Sequence, residues 1–138
     1  MSEVPLDTNV IIRYLVEDPE EIEPKFEGVY GFFDKIETGR LKVHVPKLVI
    51  FQAYFVLTSY YEVPRAEAAE KLRELVLFQG VQMPGKTVVA GCLERLEHRN
   101  LDLVDSYILS WAEDEGITTV YSYDRDLERE GLELLPVR

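Results

Sequence analysis

The spacing of hydrophobic residues along this chain predicts short strands separated by helices. The apolar run Val4-Pro5-Leu6 predicts a first strand that ends at Asp7. A short helix is expected from about Asn9 to Leu15, and it ends before Pro19. The next apolar residues recur at steps of four and three, which predicts one amphipathic helix capped near Gly39. Its inward face consists of Ile22, Phe26, Val29, Phe33 and Ile36.

The remaining segments continue this alternation of strands and helices. In chain order they predict a strand over 41–45, a very apolar helix from Pro46 to about Tyr61, a helix opened by Pro64, a short strand over 81–83, a helix marked by Val88 to Leu96, a helix from about Asp102 to Glu115 that ends at Gly116, a strand over 117–121, a short helix around Leu127 and a strand over 132–135. Strands separated by helices pair in parallel through right-handed crossovers. The predicted fold is therefore α/β: one three-layer α/β/α domain over residues 1–138, with a parallel, roughly five-stranded central sheet.

This topology places two aspartates at the same edge of the predicted sheet. Asp7 directly follows the first strand, and Asp124 stands three residues beyond Tyr121, the end of a later strand. Ligands of parallel α/β sheets bind beyond the carboxyl ends of the strands. Both aspartates are therefore expected at the ligand-binding edge.

Composition and charge narrow the range of functions. Of the 138 residues, 46% are apolar, which is enough for a core and too much for a disordered tail. With 15 basic and 26 acidic residues the formal net charge is −11. This charge argues against a general electrostatic grip on nucleic acid, which needs a basic face. It leaves room for an enzyme that approaches phosphates through bound cations.

The sequence also predicts a cytoplasmic protein that does not associate with membranes. The longest apolar stretch, from Leu48 to Leu57, is interrupted by Gln52 and is too short to cross a bilayer. The first five residues, Met1 to Pro5, lack the basic segment and apolar run of a secretory signal. Cys92 is the only cysteine, so an intrachain disulfide is excluded.

Three segments place aspartates at predicted helix starts: Leu6-Asp7-Thr8-Asn9, Asp102-Leu103-Val104-Asp105 and Ser122-Tyr123-Asp124-Arg125-Asp126. One interpretation is that each aspartate only caps its own helix or favours the helix dipole. The other is that the segments converge, so that their carboxylates repel one another and raise each other's pKa. A hard divalent cation such as Mg²⁺ or Mn²⁺ relieves that repulsion. The two histidines, His44 and His98, are isolated and do not favour zinc.

The segments "VPLDTNVIIRYL", "LDLVDSYILSWA" and "TTVYSYDRDLEREGLELLP" together resemble the PIN domain, a fold that includes VapC-type toxins and several RNA-processing nucleases. The last two segments carry the most specific likeness, through "DSYILSWA" and "VYSYDRDL". The resemblance spans essentially the whole chain, in order and with matching spacing.

The resemblance implies a Mg²⁺- or Mn²⁺-dependent ribonuclease site and RNA as the substrate. The positions that match the family's metal-binding and catalytic acids are Asp7, Asp105 and Asp124. The supporting positions around them are Thr8, Asn9, Gln52, Asp102, Ser122 and Asp126. A metal at these acids lowers the pKa of bound water and stabilises charge growing on a phosphodiester.

Gln52 is the departure from the family pattern. Members usually carry a glutamate early in the third helix, and Gln52 occupies that place in "VPKLVIFQAYFVLTSYY". Glutamine keeps a carbonyl oxygen that can contact a metal or water, but it lacks the charge and cannot act as a base. Taken alone, an amide in an apolar helix also fits a hydrogen-bonded core or interface residue.

Three functions follow as alternatives. The first is a metal-dependent ribonuclease, including the toxin of a toxin–antitoxin pair. The second is a catalytically impaired PIN-fold protein that binds RNA or a protein partner. The third, phosphoryl transfer through an aspartyl nucleophile at Asp7, normally requires an acid where Asn9 stands and a lysine near the last strands. The chain from Asp102 onward contains no lysine, which disfavours the third.

The very apolar helix from Pro46 to about Tyr61 raises the question of partners, because its aromatic residues cannot all face one way. It is either buried on two sides within the monomer or part of a homodimer interface, and the family resemblance favours the homodimer. The resemblance also implies an antitoxin that inserts a basic arm toward the acids. Four cationic residues are candidates for phosphate contacts: Arg13, Lys47, Arg95 and Arg99.

Overall fold

The structure is a computed structural model that describes residues 4–138. Residues 1–3, on which the expectation of no secretory signal partly depends, lie outside the described part. In chain order the elements are α1 (Thr8–Val16), a 3-10 turn (Pro24–Phe26), α2 (Val29–Glu37), β1 (Val43–His44), α3 (Lys47–Ser59), α4 (Arg65–Val76), β2 (Val81–Gln82), α5 (Lys86–His98), α6 (Leu103–Glu115), β3 (Thr119–Tyr121), α7 (Arg125–Arg129) and β4 (Glu133–Leu135). The alternation of strands and helices confirms an α/β protein.

Prolines and a glycine mark several of the helix boundaries. Pro46 and Pro64 immediately precede α3 and α4, where a residue without an N–H loses no helical hydrogen bond. At the other end of α6, Gly116 adopts the left-handed conformation with φ of 70°. Its N–H donates to the backbone oxygens of Ala112 and Glu113, which satisfies carbonyls at the end of the helix.

The prediction of one continuous helix from Ile22 to Ile36 is wrong. A 3-10 turn over Pro24–Phe26 is followed by Gly28 at the start of α2, so the regular helix begins only at Val29. The apolar spacing still describes burial, because Val29, Phe33 and Ile36 are all in the core. Periodicity detected the buried face, and Pro24 with Gly28 interrupts the backbone.

The strands pair in two separate parallel ladders within residues 4–138, and the predicted five-stranded sheet is not confirmed. β1 pairs with β2, with Val43 opposite Val81, and β3 pairs with β4. The first predicted strand is reduced to a bridge between Pro5 and His44. There the N–H of Leu6 donates to the His44 oxygen at 2.9 Å, and the N–H of His44 donates to the Val4 oxygen at 3.0 Å.

Pro5 removes one backbone donor on the other side of this strand. Alternate residues of a strand direct their backbone polar groups to opposite sides, and Val4 and Leu6 direct theirs to β1. Pro5 therefore faces away from β1, and proline has no N–H to donate. A neighbouring strand on that side loses one ladder hydrogen bond.

The core consists of one large and one small hydrophobic cluster. The large cluster joins α1 to α5 and includes Ile11, Phe33, Ile50, Leu72 and Leu93, which are 0% exposed. The small cluster contains Leu101, Leu109, Ala112, Leu127 and Leu132. Helix α6 connects the two, because its Leu103 belongs to the large cluster and its Leu109 to the small one. Among residues 4–138, no helix is long and apolar enough to cross a membrane.

Candidate metal centre

Three carboxylates converge where α6 and α7 begin. Asp105 lies in the first turn of α6, Asp124 is the N-cap of α7, and Asp126 lies in the first turn of α7. One carboxylate oxygen from each lies within 4.8 Å of the others. Asp105 and Asp124 therefore face one small volume, although they lie 19 positions apart in the sequence.

The two helix caps orient these carboxylates. The Asp102 side chain accepts a hydrogen bond from the Asp105 backbone N–H at 2.8 Å, which fixes the first turn of α6. Asp124 accepts from the Asp126 backbone N–H at 2.9 Å through Oδ1 alone. Its second oxygen takes no part in that cap. Capping and ligand binding are thus compatible for Asp124.

Ser122 and Arg129 complete the surroundings of the three acids. The Ser122 hydroxyl accepts a hydrogen bond from the Asp124 backbone N–H at 2.9 Å. The Arg129 guanidinium pairs with Asp126 Oδ1. This pair partly neutralises Asp126, so Asp105 and Asp124 are the members that keep uncompensated negative charge.

The electrostatics of Asp105 reflect this crowding. Burial raises the pKa of the Asp105 carboxyl, and the negative charges of Asp102, Asp124 and Asp126 raise it further. A hydrogen bond with Asp124 acts in the same direction. A protonated Asp105 or a bound cation relieves such repulsion.

Asp7 lies outside this group of three. It is the N-cap of α1, and its Oδ1 accepts a hydrogen bond from the Thr8 backbone N–H at 2.7 Å. The buried Thr8 hydroxyl donates to Gln52 Oε1 at 2.6 Å, so Gln52 lies beside the start of α1. Asn9 is exposed at the edge of a neighbouring groove.

Helix α3 connects the Gln52 region to α6. Phe51 packs edge-on against Tyr107, with ring centroids 5.6 Å apart. The Lys47 ammonium donates a hydrogen bond to the Tyr107 hydroxyl at 3.0 Å. Tyr107 follows Asp105 by two residues, so these contacts hold the start of α3 against the first turns of α6.

The sequence analysis named all of these aspartates as candidate site residues, but it did not predict which of them lie together in space. The structure brings together Asp105, Asp124 and Asp126, with Asp102 as the cap of the same helix. Sequence reasoning missed the link from Lys47 to Tyr107, because a contact across 60 residues has no local signal. It offered Lys47 as a candidate for phosphate contacts, and the structure places the Lys47 ammonium against the Tyr107 hydroxyl.

A divalent cation fits this donor set. Mg²⁺ and Mn²⁺ prefer oxygen ligands, and the three carboxylates supply them at a spacing that one ion can bridge. Among residues 4–138, neither histidine joins a cluster with metal-ligand spacing. Cys92 is buried in the core, where desolvation raises the pKa of its thiol to about 12. The donors therefore favour a hard cation over zinc.

Comparison with known proteins identifies the family. No curated protein matches the chain. The family model of the PIN domain matches residues 4–131, which include all the acidic segments described above. The chain therefore belongs to the PIN domain family.

Proposed function

We propose that the protein is a metal-dependent ribonuclease whose Mg²⁺ or Mn²⁺ is held by Asp105 and Asp124, with Asp7 as a further ligand. PIN domains are generally metal-dependent nucleases. The single observation that supports this site is the convergence of the Asp105, Asp124 and Asp126 carboxylates within 4.8 Å. The raised pKa of Asp105 adds to it, because uncompensated like charges in a folded protein favour a cation.

The residues around the acids have distinct positioning roles in this proposal. Asp102 holds the Asp105 backbone and Ser122 holds the Asp124 backbone, so both carboxylates are preorganised. Arg129 pairs with Asp126 and partly neutralises its charge. A divalent cation bound here lowers the pKa of a coordinated water and offsets charge that develops on the phosphodiester. Asp7, at the exposed start of α1, would supply a further carboxylate ligand to the cation.

A second candidate function is a PIN-fold protein with impaired catalysis that binds RNA or protein. Gln52 supports it, because this amide stands where family members usually have a glutamate. Its carbonyl oxygen already accepts the Thr8 hydroxyl at 2.6 Å, and it carries no charge for a second metal. Both candidate functions use the same surface to bind RNA, but only the first includes RNA cleavage.

The proposed function includes two protein partners, a second copy of the chain and an antitoxin. The exposed residues of α3 include Leu48, at 75% exposure, and Phe55, at 53%. Burial of these side chains in a homodimer stabilises it by removing apolar surface from water. As a toxin, the protein pairs with an antitoxin whose basic arm reaches the acids, and the net charge of −11 suits such a partner.

The decisive experiment compares Asp105→Asn with Asp114→Asn. Both substitutions remove one negative charge from α6, but Asp114 lies near the far end of the helix, outside the acidic group. We expect Asp105→Asn to reduce Mn²⁺-dependent cleavage of structured RNA at least roughly 100-fold and Asp114→Asn to leave it unchanged. Cleavage is measured on purified protein with a chelator control.

Thermal unfolding provides a second readout that does not require activity. Without metal, Asp105→Asn relieves like-charge repulsion worth about 0.5 kcal/mol, so its melting temperature rises by about 2 °C. Added Mn²⁺ stabilises the wild type and the Asp114 variant, but not the Asp105 variant. Equal cleavage and equal metal response in all three proteins would remove Asp105 from the mechanism.

A further inference from the structure

Two tyrosines next to the acidic group have no packing role in the fold. Tyr123, which directly precedes Asp124, is 85% exposed, and Tyr121, at the end of β3, is 71% exposed. Neither ring is paired with another aromatic ring in the part of the chain that the structure describes. Exposing a phenol ring this fully gains no burial energy, so the fold itself does not require tyrosine at either position.

The backbone around Tyr123 is nevertheless held firmly. On one side Ser122 accepts the Asp124 N–H at 2.9 Å, and on the other Asp124 accepts the Asp126 N–H at 2.9 Å. A fixed backbone lowers the cost of ordering this turn when the ring binds a ligand. Tyr123 therefore presents an exposed aromatic ring from a hydrogen-bonded turn, one residue from a carboxylate of the acidic group.

The charge distribution identifies the ligand that this surface suits. Four cationic residues that the sequence offered for phosphate contacts are already engaged: Arg13 with Glu17, Lys47 with Tyr107, Arg95 with Glu113 and Arg99 with Glu130. At a net charge of −11, nucleic acid gains little from long-range attraction to this protein. Aromatic stacking remains as a source of affinity that does not depend on charge.

Arg125 directly follows Asp124 in the sequence and is a further exposed cation, whose surface ion pair contributes little. Its side chain is 77% exposed and makes a surface contact with Glu128 at 3.3 Å. Tyr123 and Arg125 thus flank Asp124 in the sequence, and both side chains are largely exposed. A flat aromatic surface beside a cation matches a base and its phosphate, the two parts of a nucleotide.

We propose that Tyr123 stacks on an unpaired base of the RNA adjacent to the phosphate bound at Asp105 and Asp124. This inference rests on the proposed nuclease function and names the side chain that contacts the base beside the bound phosphate. Bases within a duplex are stacked on each other and do not offer a free face to a protruding ring.

The test uses the full chain and a fluorescein-labelled unpaired RNA of about ten nucleotides, with Ca²⁺ replacing Mg²⁺. Binding is followed by fluorescence anisotropy for the wild type, Tyr123→Leu, Tyr123→Phe and the control Tyr60→Leu, which removes a 77% exposed ring at the end of α3. We expect Tyr123→Leu to weaken binding roughly 5- to 100-fold. Tyr123→Phe keeps the ring and stays within about twofold, and Tyr60→Leu binds like the wild type.

A matched series of RNAs identifies the stacked base directly. Each RNA lacks one base at a successive position. We expect that removing the base at one position weakens wild-type binding as much as Tyr123→Leu does. Combining that RNA with Tyr123→Leu should cause no further loss of affinity. A duplex of the same sequence binds no better to the wild type than to Tyr123→Leu. In cleavage assays with Mn²⁺, Tyr123→Leu raises KM and leaves kcat unchanged.

The outcomes separate the two proposals. If Tyr123→Leu binds unpaired RNA as tightly as the wild type, or if no RNA binds at all, the stacking inference is wrong and the exposed rings belong to a protein interface. If binding depends on Tyr123 while no RNA is cleaved in Mg²⁺ or Mn²⁺, the stacking inference stands and the nuclease proposal fails.

Discussion

Each aspartate at a helix start can act through two oxygens, and this explains why capping and metal binding coexist. Asp124 uses Oδ1 to accept the Asp126 N–H at 2.9 Å, and its other oxygen is left for a ligand. Asp102 acts through Oδ1 as the cap of α6, and so supports Asp105 from the backbone. The two interpretations that the sequence left open for these segments are therefore not exclusive.

Gln52 gives the first prediction at this scale. Gln52→Glu adds a negative charge beside the start of α1 and keeps an oxygen that accepts the Thr8 hydroxyl. We expect Mn²⁺ affinity to rise about tenfold, equivalent to about 1.4 kcal/mol, because carboxylates bind hard cations better than amides do. The measurement is a calorimetric titration, with the exposed Gln79→Glu as control. Unchanged Mn²⁺ affinity would place Gln52 outside the metal centre.

Gly80 gives a second prediction, which concerns stability. A Cβ at Gly80 would lie 2.0 Å from the Leu41 oxygen and 2.7 Å from the Ile36 oxygen, both backbone atoms that cannot turn aside. We expect Gly80→Ala to lower the free energy of unfolding by about 3 kcal/mol or more. Gly31, inside α2, has nothing within 4 Å of such a Cβ. Gly31→Ala should instead stabilise by about 0.5–1 kcal/mol, and denaturant titration measures both.

At the scale of elements, the sequence predicted most of the helices, because several of them begin or end at residues with a clear local signal, and it failed at the start of α2. Asp7, Asp102 and Asp124 cap α1, α6 and α7, and prolines precede α3 and α4. Strand lengths were overestimated: the segment over 117–121 pairs only from Thr119. Strand residues need a partner elsewhere in the chain, and local sequence does not specify how far that partner extends.

The contact between α4 and α5 supports a pH-dependent prediction. Arg73 donates two hydrogen bonds to Glu97, at 2.8 and 3.2 Å, and the Glu97 side chain is only 13% exposed. The hydrogen bonds from Arg73 hold the pKa of Glu97 below its ordinary value. We expect Glu97→Gln to lower the free energy of unfolding by about 1 kcal/mol at pH 7.

The sign of the pH dependence follows from that lowered pKa. The stabilisation from Glu97 is complete above its unfolded-state pKa of about 4.3, and it is lost as the pH falls through the lower folded-state pKa. The difference between the wild type and Glu97→Gln should therefore disappear in acid. Urea titrations across this pH range test it, with the exposed Glu94→Gln as control. A difference that persists in acid would show that packing, not charge, makes the contact.

For the molecule as a whole, the acidic charge predicts how RNA binding responds to salt. With a net charge of −11 and four of its cations engaged internally, the protein should release few counterions from RNA. We expect log affinity to fall with log salt concentration with a slope shallower than about −2, since a single strand contributes about −0.7 per phosphate neutralised. The measurement is anisotropy at several salt concentrations and constant Ca²⁺. A slope of log affinity against log salt concentration of about −5 would contradict this prediction and would indicate a basic RNA-binding surface despite the acidic net charge.

The central sheet shows the limit of sequence reasoning at this scale. Alternating strands and helices correctly predicted an α/β protein with parallel pairing. They did not predict that the described strands divide into two ladders of two or three residues each. Ladder length depends on the relative placement of distant segments, and Pro5 withholds a donor at the junction.

The sequence by itself determined the order of elements, the helix caps and the set of acids available for a metal. These properties depend on residues within a few positions of one another, where propensity, capping and turn chemistry act. Only the tertiary structure decided that Asp105, Asp124 and Asp126 share one small volume, and that Asp7 caps α1. The positions of these acids depend on how α6 and α7 pack around the small hydrophobic cluster. The hydrophobic effect is not directional, so a local sequence pattern does not specify which helices pack together.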